Sequence, residues 1–268
     1  MKKKKDKAID IALIMLLIVA IISGLLFLHY LLDYKKSNDF YKEANKGIEI
    51  LETNSSISYD FETENDFIIE EKSFDMNIDF SEFPESVIGW IYIPDNENEI
   101  SYPITQGKDN EYFLSHDYSG KYNKAGSIFL HSDNSPCLTD YHSIIYGHNM
   151  KAGTMFSRIK KYQDKEFLNE HRYVYIKLRS GELKKYYVYS VFRTEDLSDA
   201  YKININNKEE SFDFINYTIK NNKIGNTITF NDNSLYRIVT LSTCISGSNK
   251  LERCVVNMVE IPNSWKKF

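Results

Sequence analysis

The stretch Leu235-Tyr-Arg-Ile-Val-Thr-Leu-Ser-Thr-Cys244 is a run of β-branched, aromatic and aliphatic residues that stops at a cysteine. The next segment, Ile245-Ser-Gly-Ser-Asn-Lys-Leu-Glu252, has the composition of a loop. A second strand-like run follows it, Arg253-Cys-Val-Val-Asn-Met-Val-Glu-Ile261. Two such runs joined by a Gly/Ser/Asn loop predict an antiparallel hairpin.

This hairpin would bring Cys244, at the end of its first strand, close to Arg253, at the start of its second. A nearby cation favours the thiolate form of cysteine, so the pair is typical of a reactive site. Alone, Cys244 is most simply a small buried hydrophobe and Arg253 a surface charge. His148 ends another strand-like run, Ser143-Ile-Ile-Tyr-Gly-His148. Because catalytic residues concentrate where rigid strands meet loops, the three together indicate chemistry.

The folded domain is expected to begin near Glu85, where a strand ending at Pro94 starts. The chain has 20 Tyr and 16 Phe but only 11 Gly and 5 Pro, which favours a β-rich core. Further strand-like runs recur up to the final hairpin, with few helices, and predict a closed β-barrel. One clear amphipathic helix is expected at Lys208–Asn221, with Phe212, Ile215 and Ile219 on one face.

The N-terminus predicts a membrane anchor. Residues 1–7 hold five Lys and one Asp, and residues 11–28 carry no charge. About 20 apolar residues span a bilayer as a helix, so residues 8–32 are long enough. The lysines predict a cytoplasmic tail and an extracellular remainder. A cleaved signal peptide is the rival interpretation, and the absence of a small-x-small cleavage site counts against it.

Residues 33–84 are expected to form a membrane-proximal helix, extending to about Leu51, and an acidic stalk. Residues 52–80 contain nine Asp/Glu and one Lys, a composition typical of a solvated spacer or a loosely packed arm. The catalytic barrel would then occupy residues 85–268. The net charge is −5 overall, and the tail contributes +4, so the rest carries −9 and offers no basic nucleic-acid footprint.

The three cysteines, at 137, 244 and 254, show no CxxC spacing, so neither a zinc site nor a disulfide framework is expected. Cys137 is expected to be a loop thiol. Cys254, next to Arg253 on a strand, should lie on the opposite face, in the core. No metal and no cofactor is expected. The other histidines lack a partner pattern and are expected to be structural or exposed; they are His29, His116, His131, His142 and His171.

Thr240-Leu-Ser-Thr-Cys244 resembles the TLxTC signature of sortases, the cysteine transpeptidases of Gram-positive cell surfaces. The downstream Arg253 and upstream His148 extend the resemblance. Gly89-Trp-Ile, Lys121-Tyr-Asn-Lys-Ala-Gly-Ser-Ile-Phe-Leu130 and a helix-containing insertion at about 195–232 are similar to class B sortases. The resemblance implies a closed eight-stranded sortase barrel with N-terminal helices and a helix inserted before the penultimate strand.

The resemblance also implies roles. Cys244 would attack the threonine carbonyl of a C-terminal sorting motif, His148 would act as general acid and base, and Arg253 would bind the substrate carbonyl or the oxyanion. Five further residues are expected to line the substrate groove: Asn110, Leu114, Ser242, Thr243 and Tyr146. For Tyr146, packing in the barrel is the favoured alternative.

The implied partners are surface proteins with NPQTN-like or (S/P)PxTG-like motifs and an amine of a peptidoglycan peptide. Two other functions stay open from the sequence. One is a thiol peptidase that mainly hydrolyses, although papain-like enzymes place Cys before His in the chain. The other is an inert binding domain built on a sortase-like barrel.

Overall fold

The computed structural model describes residues 2–59, 71–95, 99–151, 153–196, 198–225, 228–232, 234–244, 252–261 and 266–267. Side chains are described within these ranges except at residues 2–9, 52–59, 71–73, 244, 266 and 267. The chain divides into two compact units, Met1–Lys42 and Glu43–Phe268. The second unit contains the barrel.

Eight strands close into the predicted barrel, in the order β10-β8-β7-β3-β4-β5-β6-β9. Their bounds are β3 Val87–Ile93, β4 Ile100–Gln106, β5 Ile128–Leu130, β6 His142–Tyr146, β7 Tyr173–Leu178, β8 Leu183–Glu195, β9 Ile238–Cys244 and β10 Glu252–Glu260. Most residues of these strands are buried, which explains their largely apolar character. The eight-stranded barrel expected from the sequence is therefore confirmed.

Six of the strand pairings are antiparallel, and two, β4 with β5 and β6 with β9, are parallel. Parallel neighbours require a long crossover connection. The β4–β5 crossover, residues 107–127, contains a short 3₁₀ helix, Tyr112–Leu114. In its described residues, the β6–β9 crossover carries β7, β8 and four helices: the 3₁₀ helices Phe156–Gln163 and Asp199–Tyr201, α2 (Lys165–Glu170) and α3 (Lys208–Asn221). The β6–β9 crossover starts at the end of the barrel where the site residues lie, and the β4–β5 crossover ends there.

Helix α3 has the predicted bounds, and its buried face is shifted from the predicted one. Phe214 and Ile215 are buried against Tyr189 and Ile238, whereas Phe212 is only half-buried. Two polar residues complete the buried stripe, Ser211 and Thr218. Their hydroxyls are satisfied by hydrogen bonds, so burial is tolerated there, and a pattern of apolar residues alone does not register them.

The segment after the N-terminal helix differs from the expected stalk. Strands β1 (Glu49–Tyr59) and β2 (Glu71–Asn77) pair in an antiparallel hairpin, and β1 also pairs with β11 (Lys266–Lys267). Phe74 stacks on Tyr175 with ring centroids 4.0 Å apart, and Met76 is buried. The acidic composition hid this hairpin because its apolar anchors are few. The central acidic residues, 60–70, lie outside the described residues.

One N-terminal helix, α1 (Lys2–Asn45), stands where the sequence predicted several, and it ends six residues before the predicted Leu51. Asn45, Lys46 and Gly47 break it, and β1 begins at Glu49. Within the described residues, α1 has one stretch, from Asp10 on, that is long and apolar enough to cross a membrane. Its apolar side chains between residues 11 and 32 are exposed all round the helix, as suits a lipid environment.

Candidate active site

A cavity of about 360 Å³ opens at the ends of β6, β9 and β10. This volume lies within the range of about 300–1,000 Å³ that is typical of ligand pockets. Its lining combines apolar walls with a few polar groups; the residues are Asn110, Leu114, Phe129, His131, Tyr146, Gly147, His148, Asp196, Tyr201, Ser242, Thr243 and Arg253. His148, Arg253 and all five residues predicted for the groove are among them.

Two strand registers bring the predicted catalytic residues together. In the antiparallel pair of β9 and β10, Cys244 lies directly opposite Arg253. In the parallel pair of β6 and β9, Tyr146 lies beside Ser242. His148 and Cys244 each follow two residues later, so both lie at the same level of the sheet. Directly opposed residues share one face of a sheet, which puts Cys244 on the face of Arg253.

The backbone just after β6 is anchored on both sides. The Gly147 amide donates to the Ser242 carbonyl at 3.1 Å, and the Thr243 hydroxyl donates to the Gly147 carbonyl at 2.8 Å. The His148 carbonyl accepts from the Phe156 amide at 3.0 Å. A Cβ on Gly147 would lie 2.4 Å from Ile128 and 2.7 Å from Phe156, so only glycine fits. His148 is therefore presented from a fixed backbone.

The ring of His148 is held by the β4–β5 crossover. Its Nε2 lies 2.7 Å from the carbonyl oxygen of Leu114. A carbonyl oxygen only accepts hydrogen bonds, so Nε2 carries a proton in this arrangement. In the neutral ring, Nδ1 is then the basic nitrogen. The Leu114 side chain is 43% exposed and lines the cavity, so one residue contacts both the cavity and the histidine.

Arg253 is held on β10, which flanks β9 on the side away from β6. One terminal nitrogen donates to Asp196 at 3.1 Å, and the other donates to the Glu252 carbonyl at 3.3 Å. The guanidinium is 20% exposed, so it is partly desolvated. It is the main positive group of the lining, next to the register position of Cys244.

Aromatic rings form one wall of the cavity. Tyr146 stacks on Phe129 with centroids 5.2 Å apart and lies parallel to Tyr201 at 6.3 Å. The Tyr201 hydroxyl lies 2.7 Å from that of Ser242. Burial raises the pKa of Tyr146, and the nearby Tyr201 adds to the rise, so Tyr146 stays neutral. Tyr146 is thus both packed on the barrel and part of the cavity wall.

Asn110 links two chain segments at the cavity. Its side-chain oxygen accepts from the Ser132 amide at 2.8 Å, which ties the β4–β5 crossover to the loop after β5. His131 also lines the cavity. Burial lowers the pKa of His131, so the ring is predominantly neutral at physiological pH.

Five lining residues were not predicted from the sequence: Phe129, His131, Gly147, Asp196 and Tyr201. Asp196 and Tyr201 lie in the connection between β8 and α3, where turns and charges carry no periodic signal. His131 follows β5 in the same way that His148 follows β6, so its position at a strand end was the available signal.

The remaining cysteines and the remaining barrel histidines lie outside the cavity lining. Cys254 is buried, and burial raises its pKa to about 12, as expected for a core thiol. Cys137 is exposed. His142 is fully buried, with Nδ1 2.8 Å from the Lys202 carbonyl and Nε2 2.8 Å from the Thr240 hydroxyl. Among the described residues, no group of three or more His, Cys, Asp or Glu forms a metal site.

Comparison with known proteins matches this barrel and its site to one family. The sortase domain family matches residues 91–260. Sortase B of Listeria monocytogenes is 38% identical over 172 residues, which cover 62% of this chain and 65% of that protein. The match thus spans slightly less than two thirds of the relative's length.

Solved structures agree. Sortase B of Clostridium perfringens is 30% identical, with a TM-score of 0.60 over 66% of this chain and 94% of that one. Sortase B of Bacillus anthracis is 26% identical, with a TM-score of 0.66 over 87% of this chain and 100% of that one. The chain therefore belongs to the sortase family, and these relatives are of its class B.

Proposed function

We propose that the protein is a membrane-anchored cysteine transpeptidase that cleaves a C-terminal sorting motif after threonine and transfers the acyl group to a cell-wall amine. The observation that carries the proposal is the register of β9, which sets Cys244 opposite Arg253 and level with His148 at one cavity. A nucleophile, an acid–base group and an oxyanion donor are what acyl transfer through a thioester requires. Membership of the sortase family supports the same chemistry.

In the first half-reaction, the Cys244 thiolate attacks the threonine carbonyl carbon, and the carbonyl oxygen becomes an oxyanion. Collapse of this tetrahedral intermediate breaks the peptide bond. The imidazolium of His148 gives its proton to the departing amine, which leaves with the C-terminal tail. The product on the enzyme is a thioester between Cys244 and the surface protein.

In the second half-reaction, an acceptor amine attacks the thioester carbonyl. His148, now neutral, takes the proton that the amine loses, and the thiolate of Cys244 is expelled. A new amide bond joins the surface protein to the acceptor. Water in place of the amine would release a free carboxylate, so the choice of acceptor separates transfer from hydrolysis.

Arg253 is assigned to the charge that develops on the carbonyl oxygen. Its guanidinium lies in the cavity lining, partly desolvated and held by two hydrogen bonds. A donor fixed in advance needs no reorganisation when the oxyanion forms. Loss of one oxyanion donor costs ~10²–10³ in rate in other acyl-transfer enzymes, and we expect a similar loss for Arg253→Ala.

The anchor and the partners complete the proposal. Residues 8–32 would span the membrane with the lysine-rich tail, residues 1–7, in the cytoplasm and the barrel outside. The substrates would be surface proteins that carry an NPQTN-like or (S/P)PxTG-like motif. The acceptor would be an amine of a peptidoglycan peptide. Five lining residues would contact the motif: Asn110, Leu114, Tyr146, Ser242 and Thr243.

The test uses the full-length protein in detergent and a library of sorting-motif peptides, with products identified by mass spectrometry. The proposal expects cleavage after threonine, and a ligated product when an amine acceptor is present. Cys244→Ala, His148→Ala and Arg253→Ala should each abolish or strongly reduce both products. Cys137→Ser, which removes an exposed thiol elsewhere, should change neither.

Each failure points to a different function. Hydrolysis alone at saturating acceptor would leave a thiol peptidase and contradict the transfer step. Peptide binding without cleavage, unchanged in Cys244→Ala, would leave a binding domain.

A further inference from the structure

An acidic side chain lies in the lining of this otherwise apolar and cationic cavity. Asp196 directly follows β8, and its carboxylate accepts from the Arg253 guanidinium at 3.1 Å. The two side chains are 28% and 20% exposed, so the pair is partly shielded from water. A carboxylate beside a substrate-binding arginine could compete with the substrate or hold the arginine in place. The surrounding contacts favour the second role.

The first of these contacts is the strand register. Arg253 lies opposite Thr194 in the pairing of β10 with β8, and Asp196 follows Thr194 by two residues. The ladder between β8 and β10 is long and ends at Glu195 and Glu252. The base of each side chain is therefore fixed by the sheet, and the carboxylate reaches the guanidinium from the adjoining turn.

The second observation is that two nitrogens of the Arg253 guanidinium contact different partners. One terminal nitrogen donates to Asp196, and the other donates to the backbone carbonyl of Glu252 at 3.3 Å. Two contacts at two different nitrogens fix both the position and the plane of the group. A guanidinium has five N–H donors, so a hydrogen bond to Asp196 is compatible with further hydrogen bonds from the same group.

The third observation is that the neighbouring acidic residues make different contacts. Glu252 lies 3.8 Å from Arg193 instead. Glu195, next to Asp196, is exposed and is not part of the cavity lining. Of these three carboxylates, Asp196 is the one that both lines the cavity and contacts Arg253.

From these contacts we infer that Asp196 is a positioning residue, which orients the Arg253 guanidinium for the substrate carbonyl. This inference rests on the proposed role of Arg253. In this role Asp196 acts through Arg253 and not on the reacting atoms. It acts by fixing the oxyanion donor in advance and by offsetting part of the positive charge next to Cys244.

The test compares Asp196→Ala and the isosteric Asp196→Asn with Glu195→Ala, which removes a neighbouring exposed carboxylate. In the peptide cleavage assay, Asp196→Ala should lower kcat/KM about tenfold, as expected when an oxyanion donor loses its fixed geometry. Asp196→Asn, which keeps an acceptor oxygen, should lose less. Glu195→Ala should be unchanged. Thermal unfolding of the Asn variant checks that the fold is retained.

A double-mutant cycle separates positioning from a general structural effect. In an Arg253→Ala background, Asp196→Ala should cause no further loss, because the group that it orients is gone. Single-turnover acylation followed by mass spectrometry is sensitive enough for these slow variants. An equal tenfold loss in both backgrounds would overturn the inference, and so would wild-type activity in Asp196→Ala.

A second readout does not depend on turnover. In a Cys137→Ser background, the pH dependence of iodoacetamide alkylation reports the pKa of the Cys244 thiol. Removing the negative charge of Asp196 should shift this pKa to a lower value, since the thiolate then faces less repulsion. A pKa that stays in place or rises contradicts the inference. Failure of the proposed function would be visible separately, as peptide cleavage that survives Cys244→Ala.

Discussion

Gly126 packs against the Leu114 carbonyl, which holds His148. Gly126→Ala should therefore displace this carbonyl without changing any residue of the cavity lining. Gly126 has φ +55°, and a Cβ there would lie 2.5 Å from the Phe113 carbonyl oxygen and 2.7 Å from the Leu114 carbonyl oxygen. Contacts below 3.0 Å are essentially never tolerated, so the backbone must shift. The Leu114 carbonyl is the group that accepts from His148 Nε2.

The cost has two parts. A left-handed φ costs roughly 1–2 kcal/mol for a residue with a Cβ. Overpacking against two backbone atoms adds about 1–3 kcal/mol. The free energy of unfolding should therefore fall by roughly 2–5 kcal/mol, which corresponds to a Tm lower by about 5–15 °C for a domain of this size. Losing one hydrogen bond to His148 should in addition reduce kcat by about three- to tenfold.

The assay is thermal unfolding together with peptide cleavage, and Gly181→Ala is the matched control. Gly181 has φ +89°, but a Cβ there would meet nothing within 4 Å. Gly181→Ala therefore has the cost of the backbone conformation without the overpacking. Its free energy of unfolding should fall by about 1–2 kcal/mol, and its kcat should be unchanged. If Gly126→Ala loses no more stability than Gly181→Ala, or if it keeps the wild-type kcat, the link from Gly126 through Leu114 to His148 is refuted.

Two further predictions concern stability. Burial lowers the pKa of His142 to about 4 in the folded protein from 6.5 in the unfolded chain. Its contribution is therefore fully present above pH 6.5 and is lost as pH falls through 4, by up to about 3 kcal/mol. The free energy of unfolding, measured with denaturant at several pH values in this range, should depend less steeply on pH in His142→Gln. An unchanged pH dependence would contradict the assignment. Lys184 lies 2.8 Å from Glu260, and both are largely buried. Lys184→Ala should cost roughly 2–4 kcal/mol because it removes the nearer cation from a buried carboxylate, which then keeps Arg237 at 3.9 Å. Adding Glu260→Gln should restore part of this loss, and an additive loss in the double variant would contradict the prediction.

The final hairpin was predictable because its information is local. β-Branched runs on either side of a Gly/Ser/Asn loop predicted β9 and β10 nearly to the residue, and the alternation of a strand predicted that Cys254 is core. Neighbouring runs fix their own pairing through the loop between them, so little else is needed.

The pairing of β6 with β9 was not predictable in this way. The two strands are about a hundred residues apart, and their register depends on the packing of everything between them. That register is what brings His148 level with Cys244. The sequence could name both residues by position at strand ends and by the TLxTC resemblance, but their proximity is a property of the closed barrel.

Polar groups in loops were the hardest to foresee. Asp196 is one acidic residue among 38 in the chain, and no spacing distinguishes it. Its significance comes from the turn after β8, which carries it to Arg253. The buried face of α3 was not predicted correctly for a related reason. Ser211 and Thr218 are buried with hydrogen-bonded hydroxyls, which the composition does not reveal.

The measurement that tests the central claim most directly is the capture of the covalent intermediate. The full-length protein is mixed with a sorting-motif peptide without acceptor, quenched in acid and digested for mass spectrometry. The proposal predicts that the peptide up to its threonine is attached to Cys244 as a thioester, which disappears when an amine is added. The adduct should be absent from Cys244→Ala and present in Cys137→Ser. Turnover of the peptide with no adduct on Cys244, or with the acyl group on another residue, would contradict the account.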